Sequence, residues 1–458
     1  MTTRDPSHEA TPAVGDAEEE VANPPRWAAV VLFLLIVVAF PVWNVGMIAS
    51  QSTTLSVLDE YAHVDVLRRV DAFGYPRIGE RILDETARDV GCRGILFREV
   101  GTCSDPPDVL AVDARGYSFQ AQQPPGYYIP TAVLRRAIAA TPADDFVLTA
   151  RLTGAVWLIA GLAALWWVLA RLGVGLWARA SAVALVAASP LILYQSSTVT
   201  NDAAVILIGA AFLYATATLD GASSGRRVAV VGAGVVTAVL MKPTVILGVA
   251  ALSLAVLVRG LRAAWGSRRA VLRLLVVAAI PSVLALGAVE AWEQVRDERA
   301  VEPYDDVFDT VLGSKDESDS VTIGEAAAHT DAFLGVYDNS TTGGPTNDRD
   351  YTAGLARIGT VLLVAGPFSA LVLGGDRESV IGSSALVIVL TGSVASVFQY
   401  HSTYGIEGGA PARYAFVLIP FLSFALGRLI DHRRAGTLIV ATTAGALMIA
   451  DVFSVVNL

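Results

Sequence analysis

The stretch at residues 27–50, WAAVVLFLLIVVAFPVWNVGMIAS, carries no charged side chain and is long enough to cross a bilayer as one helix. Similar stretches recur along the 458 residues, of which 54% are hydrophobic and 17% are charged. This composition predicts an all-α polytopic membrane protein. The first stretch is too long for the apolar core of a signal peptide, and no small-residue cleavage site follows it. We therefore expect it to remain as a helix.

About eleven stretches have the length and composition of membrane-spanning helices. The pair at 226–241 and 243–259 is the shortest and is divided by Lys242-Pro243. Two long connections, at 51–148 and 293–352, separate groups of spans and are expected to carry short interfacial helices. The spans are expected at residues 27–50, 149–171, 176–197, 201–219, 226–241, 243–259, 270–292, 353–374, 380–400, 411–428 and 435–456.

Arginine residues collect in alternate short connections, and this orients the chain because cytoplasmic loops are enriched in Lys and Arg. The intervening connections near 196–202 and 401–413 are nearly free of cations. We predict a plasma-membrane protein with a cytoplasmic N-terminus, an external C-terminus and both long connections outside. The arginines on the predicted cytoplasmic side are Arg171, Arg179, Arg226, Arg227, Arg259, Arg262, Arg268, Arg269, Arg428, Arg433 and Arg434.

Two polar segments complete the domain organisation. Residues 1–25 are acidic and contain proline, which predicts a disordered cytoplasmic tail before a single transmembrane domain at 26–458. The connection 293–352 holds fifteen Asp and Glu against four Lys and Arg, and the whole chain has a net charge of −10. This balance argues against a nucleic-acid partner and against a polybasic lipid-docking surface.

Cys92 and Cys103 are the only cysteines, and both lie in the first long connection. An oxidising exterior favours a disulfide that closes a small loop. Two free thiols are the alternative, and a zinc site lacks its other ligands.

The segment after the first span has helical spacing over residues 55–69 and places Asp59 and His63 on one face. One interpretation makes Asp59 a general base that deprotonates an acceptor hydroxyl, with Glu60 or His63 tuning it. A second has Asp59 and His63 holding a divalent cation with another group. The third is an ordinary acidic first turn that stabilises the helix dipole.

A second short helix is predicted between Gln123 and Arg136. Pro124 and Pro125 suit its first turn, and Tyr127 and Tyr128 follow at its start. It is too short to span a bilayer, so we expect it to lie in the outer membrane interface, where tyrosine is favoured.

Polar and charged groups at three further points matter because charge is costly near hydrocarbon. Asn201-Asp202 opens the fourth span, Lys242 interrupts an apolar stretch, and Arg413-Tyr414 opens the tenth span. Lys242 and Arg413 are expected on the same side as Asp59, where they could grip a phosphate at headgroup level. The alternative is that each extends to lipid headgroups as an anchor.

Taken in order, these segments resemble the GT-C superfamily of membrane glycosyltransferases, which use polyprenyl-phosphate sugars. Protein O-mannosyltransferases and lipid A aminoarabinose transferases belong to it. The resemblance touches residues 27–260 and 400–430. Two features depart from the pattern: Gly126 replaces the commoner Leu after Pro-Pro, and residues 293–352 match nothing in it. The matching segments are Asp59-Glu60-x-x-His63, Pro124-Pro125-x-Tyr127-Tyr128, Ala150-Arg151-Leu152, Lys242-Pro243, and Ala410-Pro411-Ala412-Arg413-Tyr414 with Pro420.

The resemblance implies an external transfer of sugar from a polyprenyl-phosphate donor to a glycan, lipid or protein acceptor, with inversion. Asp59 would be the base, with Glu60 as the second catalytic residue. Lys242 and Arg413 would stabilise the departing phosphate. The remaining expected substrate-binding residues are His63, Tyr127, Tyr128 and Tyr414. The only cofactor considered is a divalent cation. The Arg- and Ala-rich composition is typical of a high-GC bacterium, such as an actinobacterium that builds cell-envelope glycans.

Two functions of other classes compete with this one. A transporter or lipid flippase predicts an ionisable residue near the bilayer midplane and a repeat between halves, whereas the charges here lie at span ends. A scaffold that binds a partner through the acidic connection 293–352 would not need Asp59 beside the membrane.

Overall fold

The protein is described by a computed structural model. It describes residues 25–57, 59–96, 103–104, 107–109, 112, 116–140, 145–220, 222–301, 322–328, 350–373, 375–404, 411–431 and 433–456. The expected tail at 1–25 lies outside these residues except for Pro25, and so does most of the acidic connection 293–352. Within the described residues the fold is all-helical apart from two isolated bridges, Leu55 with Ile95 and Arg81 with Tyr117.

Sixteen helices and four 3₁₀ turns make up the described fold, and the first helix contains a π-helical segment at Leu34–Ala39. The turns are Phe119–Gln122, Asn201–Ala204, Pro243–Val245 and Ala412–Leu418. The helices are α1 (Arg26–Gln51), α2 (Glu60–Asp71), α3 (Asp84–Arg93), α4 (Tyr128–Ala139), α5 (Phe146–Arg171), α6 (Leu176–Ala187), α7 (Pro190–Ser197), α8 (Val205–Thr218), α9 (Gly225–Met241), α10 (Ile246–Ala264), α11 (Arg268–Glu298), α12 (Ile323–Ala328), α13 (Asp350–Leu373), α14 (Asp376–Tyr404), α15 (Ile419–Asp431) and α16 (Arg434–Val456).

Eight helical segments of the described chain are long and apolar enough to cross a membrane, so this is a multi-pass membrane protein. The sequence predicts eleven spans. The other three are helical as well but are not among these eight. The segment 176–197 is bent by 58°, α9 has only 17 residues, and within α13 the stretch Arg357–Val372 is apolar among the residues described in full.

The bend at 176–197 has a local cause. Pro190 occupies the first turn of α7 and cannot donate the amide hydrogen bond that would continue α6. The side chain of Ser189 caps the new helix by accepting from the amide of Ile192. One apolar run therefore becomes two helices with different directions.

The described part of the first long connection forms a small unit with its own apolar cluster, in which Tyr61, Val64 and Leu67 of α2 are buried. Asp65 is fully buried at its centre and accepts hydrogen bonds from the amide of Leu83 and the hydroxyl of Ser118, both at 2.7 Å. A disulfide joins Cys92 to Cys103 within the same unit. These bonds give the connection a defined shape above the helix bundle.

Two sequence expectations for this unit differ from the structure. The first helix begins at Glu60 rather than at Leu55, because Leu55 instead pairs its backbone with the segment at Ile95. The second begins at Tyr128 rather than at the prolines, and Tyr127 and Tyr128 are 1% and 0% exposed. The two tyrosines therefore pack inside the protein and do not face the membrane interface.

Gly126 marks a close contact between this unit and the bundle. Its amide donates to the carbonyl of Leu240 at 3.0 Å, in the last turn of α9. A Cβ atom at position 126 would lie 2.4 Å from that oxygen, closer than real Cβ atoms come to any neighbour. The segment that leads into α4 is thereby held against Leu240, which lies two residues before Lys242.

Candidate active site

A cavity of about 280 Å³ lies where the first-connection unit meets the bundle. Five elements supply its ionisable and amide groups: the start of α2, the turn Phe119–Gln122, the turn that opens α8, the segment around Lys242 and the start of the turn Ala412–Leu418. The residues lining it are Asp59, His63, Phe119, Gln120, Gln122, Gln123, Asn201, Asp202, Lys242, Thr244, Arg413 and Tyr414.

Asp59 stands at the N-terminal boundary of α2 with a left-handed backbone, φ 59° and ψ 21°. Its carbonyl accepts from the amides of Ala62 at 3.0 Å and His63 at 3.2 Å, so the backbone itself starts the helix. A left-handed conformation is costly for most residues but is reached more easily by Asp and Asn. Such a conformation at a cavity wall is characteristic of functional positions.

Glu60, the neighbour of Asp59, does not line the cavity. It is 1% exposed, and its two oxygens accept from Arg151 Nε at 2.7 Å and Arg151 Nη2 at 2.8 Å. The same carboxylate accepts from the amides of Ser56 at 2.7 Å and Val199 at 3.0 Å. Four donors thus satisfy the buried charge, as burial requires.

This arrangement gives Glu60 a structural place in the site. It joins the first turn of α2 to α5 through Arg151 and to the segment before Asp202 through Val199. The catalytic role expected from sequence is not visible in these contacts. These contacts fix the position of Asp59 relative to Asp202, the other carboxylate that lines the cavity.

His63 lines the cavity one turn after Asp59. Its Nδ1 lies 2.7 Å from the hydroxyl of Tyr128, and the two rings stack with centroids 5.9 Å apart. Burial, together with the positive charges of Lys242 and Arg413, lowers the pKa of His63 to about 3, against the opposing effect of Asp202. The imidazole is therefore neutral at physiological pH, and Tyr128 contacts the site through it.

Asp202 and Lys242 form a buried ion pair across the cavity. Lys242 Nζ lies 2.6 Å from Asp202 Oδ1 and donates to Asn201 Oδ1 at 2.9 Å. Their side chains are 2% and 6% exposed, so Lys242 does not extend to the surface, contrary to one expectation from sequence. Burial and a carboxylate partner do not fit a headgroup anchor.

Arg413 provides a second cation on the other side of Asp202. Its Nε lies 3.9 Å from Asp202 Oδ2, and its side chain is 16% exposed. The ring of Tyr414 lies beneath both cations, 5.9 Å from Lys242 Nζ and 5.7 Å from the Arg413 guanidinium. Formally, one carboxylate separates two positive charges, which leaves the cluster with one net positive charge.

Sequence reasoning identified Asp59, His63, Lys242, Arg413 and Tyr414, and the structure brings all five to one cavity. Tyr127 and Tyr128 do not line it. The lining residues that sequence reasoning did not assign to a site are mainly neutral amides. Asn201-Asp202 was singled out for its position at the start of a span, but the pairing of Asp202 with Lys242 was not predicted, although their opposite charges at the ends of two apolar runs could have suggested it.

The described residues contain no group of three or more His, Cys, Asp or Glu side chains that could hold a metal ion. The interpretation in which Asp59 and His63 share a divalent cation therefore has no third protein ligand of these types within that part of the chain. The cations that face Asp202 are side chains of the protein itself.

Comparison with known proteins gives a structural point of reference. No family model matches the chain, and no curated protein sequence does. Among solved structures, the chain is similar to ArnT from Cupriavidus metallidurans bound to undecaprenyl phosphate, with a TM-score of 0.48 and 17% sequence identity. The alignment covers 91% of this chain and 63% of that chain. This chain thus spans less than two thirds of the length of that neighbour.

Proposed function

We propose that the protein transfers a sugar from a polyprenyl-phosphate donor to a hydroxyl acceptor outside the membrane, with inversion at the anomeric carbon. The observation that carries the proposal is the shared cavity, which joins Asp59 to Lys242 and Arg413. A carboxylate and a pair of cations in one site suit a reaction that removes a proton at one end and releases a phosphate at the other.

In the proposed reaction the carboxylate of Asp59 takes the proton from the acceptor hydroxyl. The acceptor oxygen forms a bond to the anomeric carbon while the bond from that carbon to the phosphate oxygen breaks. The electron pair of the broken bond stays on the polyprenyl phosphate. Because attack and departure take place on opposite faces of the sugar, the anomeric configuration inverts.

The cation cluster suits the charge change at the phosphate. A phosphodiester donor carries one negative charge, which matches the net positive charge of Asp202, Lys242 and Arg413 together. The departing phosphate gains a second negative charge, and donors that already point at it stabilise that charge without reorganisation. Asp202 supports this role because its carboxylate faces Lys242 on one side and Arg413 on the other.

Neutral groups complete the proposed site. His63 is uncharged and adds no charge between the carboxylate and the cations. Gln120, Gln122 and Gln123 offer amides suited to sugar hydroxyl groups, and Phe119 offers an aromatic ring beside them. The site is external in this proposal because the distribution of arginines predicts that Asp59 and Lys242 lie on the outer side.

The test is a transfer assay with purified protein in lipid nanodiscs. The donors are undecaprenyl-phosphate sugars carrying mannose, glucose, galactose or aminoarabinose, and the acceptors are total envelope extracts. Release of undecaprenyl phosphate and labelling of an acceptor are measured for the wild type and for Asp59→Asn. We expect the variant to lose a hundredfold to ten-thousandfold in rate, as is typical when a general base is removed. Equal rates, or no release from any donor by the wild type, would refute the proposal.

A further inference from the structure

A second cavity lies between α8 and α9 and runs from Met241, beside the candidate active site, to Arg226 and Arg227 at the other end of α9. These helices follow each other along the chain but do not pack closely against each other. The groove between them has a volume of about 900 Å³ and an almost wholly apolar lining, in which Phe212, Val231 and Met241 take part. None of its lining residues lines the active-site cavity.

The groove is open at the surface of the helix bundle, a surface that faces lipid in a membrane-spanning protein. Val230 and Tyr214 line it and are 65% and 39% exposed. An apolar groove open to the bilayer is filled by hydrocarbon chains, because lipid tails are as apolar as its walls. The polar end of the groove determines which lipid headgroup it selects.

The polar end of the groove is formed by Arg226 and Arg227, in the first turn of α9. Both are exposed, and neither side chain has an ion pair or a hydrogen bond within the described residues. The positive end of the α9 dipole adds to their charge. Asp220, the nearest carboxylate along the chain, is bonded in its own turn to the amide of Ala222 and the hydroxyl of Ser223.

Further guanidinium groups reach the same end of the groove. Arg259 and Arg377 each donate to the carbonyl of Ala217 at 3.4 Å, and Arg259 also donates to that of Leu219. Ala217 and Leu219 are both groove residues. The positive charge at this end thus comes from several helices.

This end lies far from the active-site cavity. The 14 residues of α8 run from the Asp202 turn to Thr218, a rise of roughly 20 Å at about 1.5 Å per residue. Likewise α9 begins at the arginine end and ends one residue before Lys242. A lipid whose phosphate lies on Arg226 and Arg227 therefore has its headgroup at the opposite end of the bundle from Lys242.

We propose that the groove between α8 and α9 binds an anionic phospholipid, with an acyl chain along α8 and α9 and the headgroup phosphate on Arg226 and Arg227. Basic pockets between membrane helices are recognised sites for anionic headgroups. This lipid is a bound component distinct from the sugar donor, and its binding does not depend on the proposed transfer activity.

The experiment measures lipid retention by native mass spectrometry of the full-length protein, titrated with palmitoyl-oleoyl phosphatidylglycerol or phosphatidylcholine. Arg226→Gln/Arg227→Gln removes the charge at the headgroup end. Gly234→Leu fills the groove without touching the arginines, since nothing lies within 4 Å of a Cβ atom built at Gly234. Arg433→Gln/Arg434→Gln is the matched control, another adjacent arginine pair at the start of a helix.

We expect the wild type to prefer phosphatidylglycerol, and Arg226→Gln/Arg227→Gln to lose that preference by roughly tenfold to thirtyfold. Gly234→Leu should bind less of either lipid, and the control pair should behave like the wild type. The proposal is overturned if Arg226→Gln/Arg227→Gln keeps the preference, or if the control pair loses it equally. Displacement of phosphatidylglycerol one-for-one by undecaprenyl phosphate would also overturn it, because the groove would then hold the donor chain.

Discussion

Asp202 Oδ1 lies 2.6 Å from Lys242 Nζ, and this buried pair joins the start of α8 to the end of α9 at the wall of the candidate active site. The carboxylate of Asp202 also faces Arg413. Asp202 is thus a counter-ion for both Lys242 and Arg413. A donor phosphate would share that task.

The first prediction concerns the competition between the carboxylate of Asp202 and a bound phosphate for Lys242 and Arg413. Asp202→Asn leaves two cations facing a neutral amide, so a bound phosphate should compensate more strongly than in the wild type. We expect undecaprenyl phosphate to raise the melting temperature of Asp202→Asn more than that of the wild type. Asp451→Asn is the control, because Asp451 is a buried carboxylate that does not line the cavity. Equal shifts in Asp202→Asn and the wild type would contradict the assignment of the phosphate to this cluster.

The cations themselves are tested by Lys242→Met and Arg413→Gln. Loss of one charge-assisted contact to phosphate should cost about 1.5–3 kcal/mol. The affinity for undecaprenyl phosphate should then fall by roughly tenfold to a hundredfold. Isothermal titration in detergent measures the change. If both variants bind the lipid as well as the wild type, the two cations do not contact the phosphate.

The third prediction concerns the pair Glu60–Arg151. Removing one partner strands a buried charge, so Glu60→Ala should reduce the free energy of unfolding by roughly 3–5 kcal/mol. Asp89→Ala breaks the partly exposed pair with Arg68, where both side chains are about one fifth exposed, and should cost at most about 1 kcal/mol. Thermal melting in detergent compares the two. A loss in Glu60→Ala no larger than in Asp89→Ala would show that Glu60 does not anchor α2.

The backbone of Asp59 gives the fourth prediction. Asn and Gly reach the left-handed region easily, whereas Ala pays roughly 1–2 kcal/mol for it. Asp59→Asn and Asp59→Gly should therefore melt near the wild-type temperature while losing activity, and Asp59→Ala should melt lower. Asp59→Asn is thus the cleaner test of catalysis. An alanine variant as stable as the other two would show that the strain is absent.

The fifth prediction is a pH dependence. The folded chain holds His63 neutral down to a pKa of about 3, whereas an unfolded histidine titrates near 6.5. Between these values the unfolded state binds a proton that the folded state does not, so stability falls as the pH decreases and is constant above about 6.5. The slope for one such group is about 1.4 kcal/mol per pH unit.

This slope is measured by comparing the wild type with His63→Gln between pH 7.5 and pH 5.5. Carboxylates titrate in both proteins, so only the difference between them reports His63. We expect the wild type to lose more stability than the variant on acidification. Parallel curves would mean that His63 is protonated without penalty in the folded protein.

Much of the architecture follows from sequence because membrane spans obey a simple length and polarity rule. The rule fails where a local event interrupts an apolar run. Pro190 bends the run at 176–197, whereas the break at Lys242-Pro243, where the chain leaves α9 for the turn Pro243–Val245, was predicted from sequence. Hydropathy alone registers the apolar content of such segments and not their direction.

The residues of the candidate site were predictable from sequence to the extent that they are charged. Asp59, Lys242 and Arg413 stand out because charges are costly beside hydrocarbon. The role of Glu60 was not predictable, because its partner Arg151 is 91 residues away and the pairing depends on how α2 meets α5. The amides of the turn Phe119–Gln122 carry no charge and resemble ordinary loop residues.

The contact between Gly126 and Leu240 also bears on how related chains are compared. A leucine at position 126 cannot coexist with this backbone contact, since even its Cβ atom would meet the carbonyl of Leu240. A chain that carries leucine after the two prolines must therefore hold its tyrosine segment farther from the helix that ends just before the lysine of the candidate site. The residue at position 126 contributes no chemistry, but its identity reports the spacing between the segment before α4 and the end of α9. Homologues could therefore be sorted by the amino acid at this position into forms in which that spacing is narrow or wide.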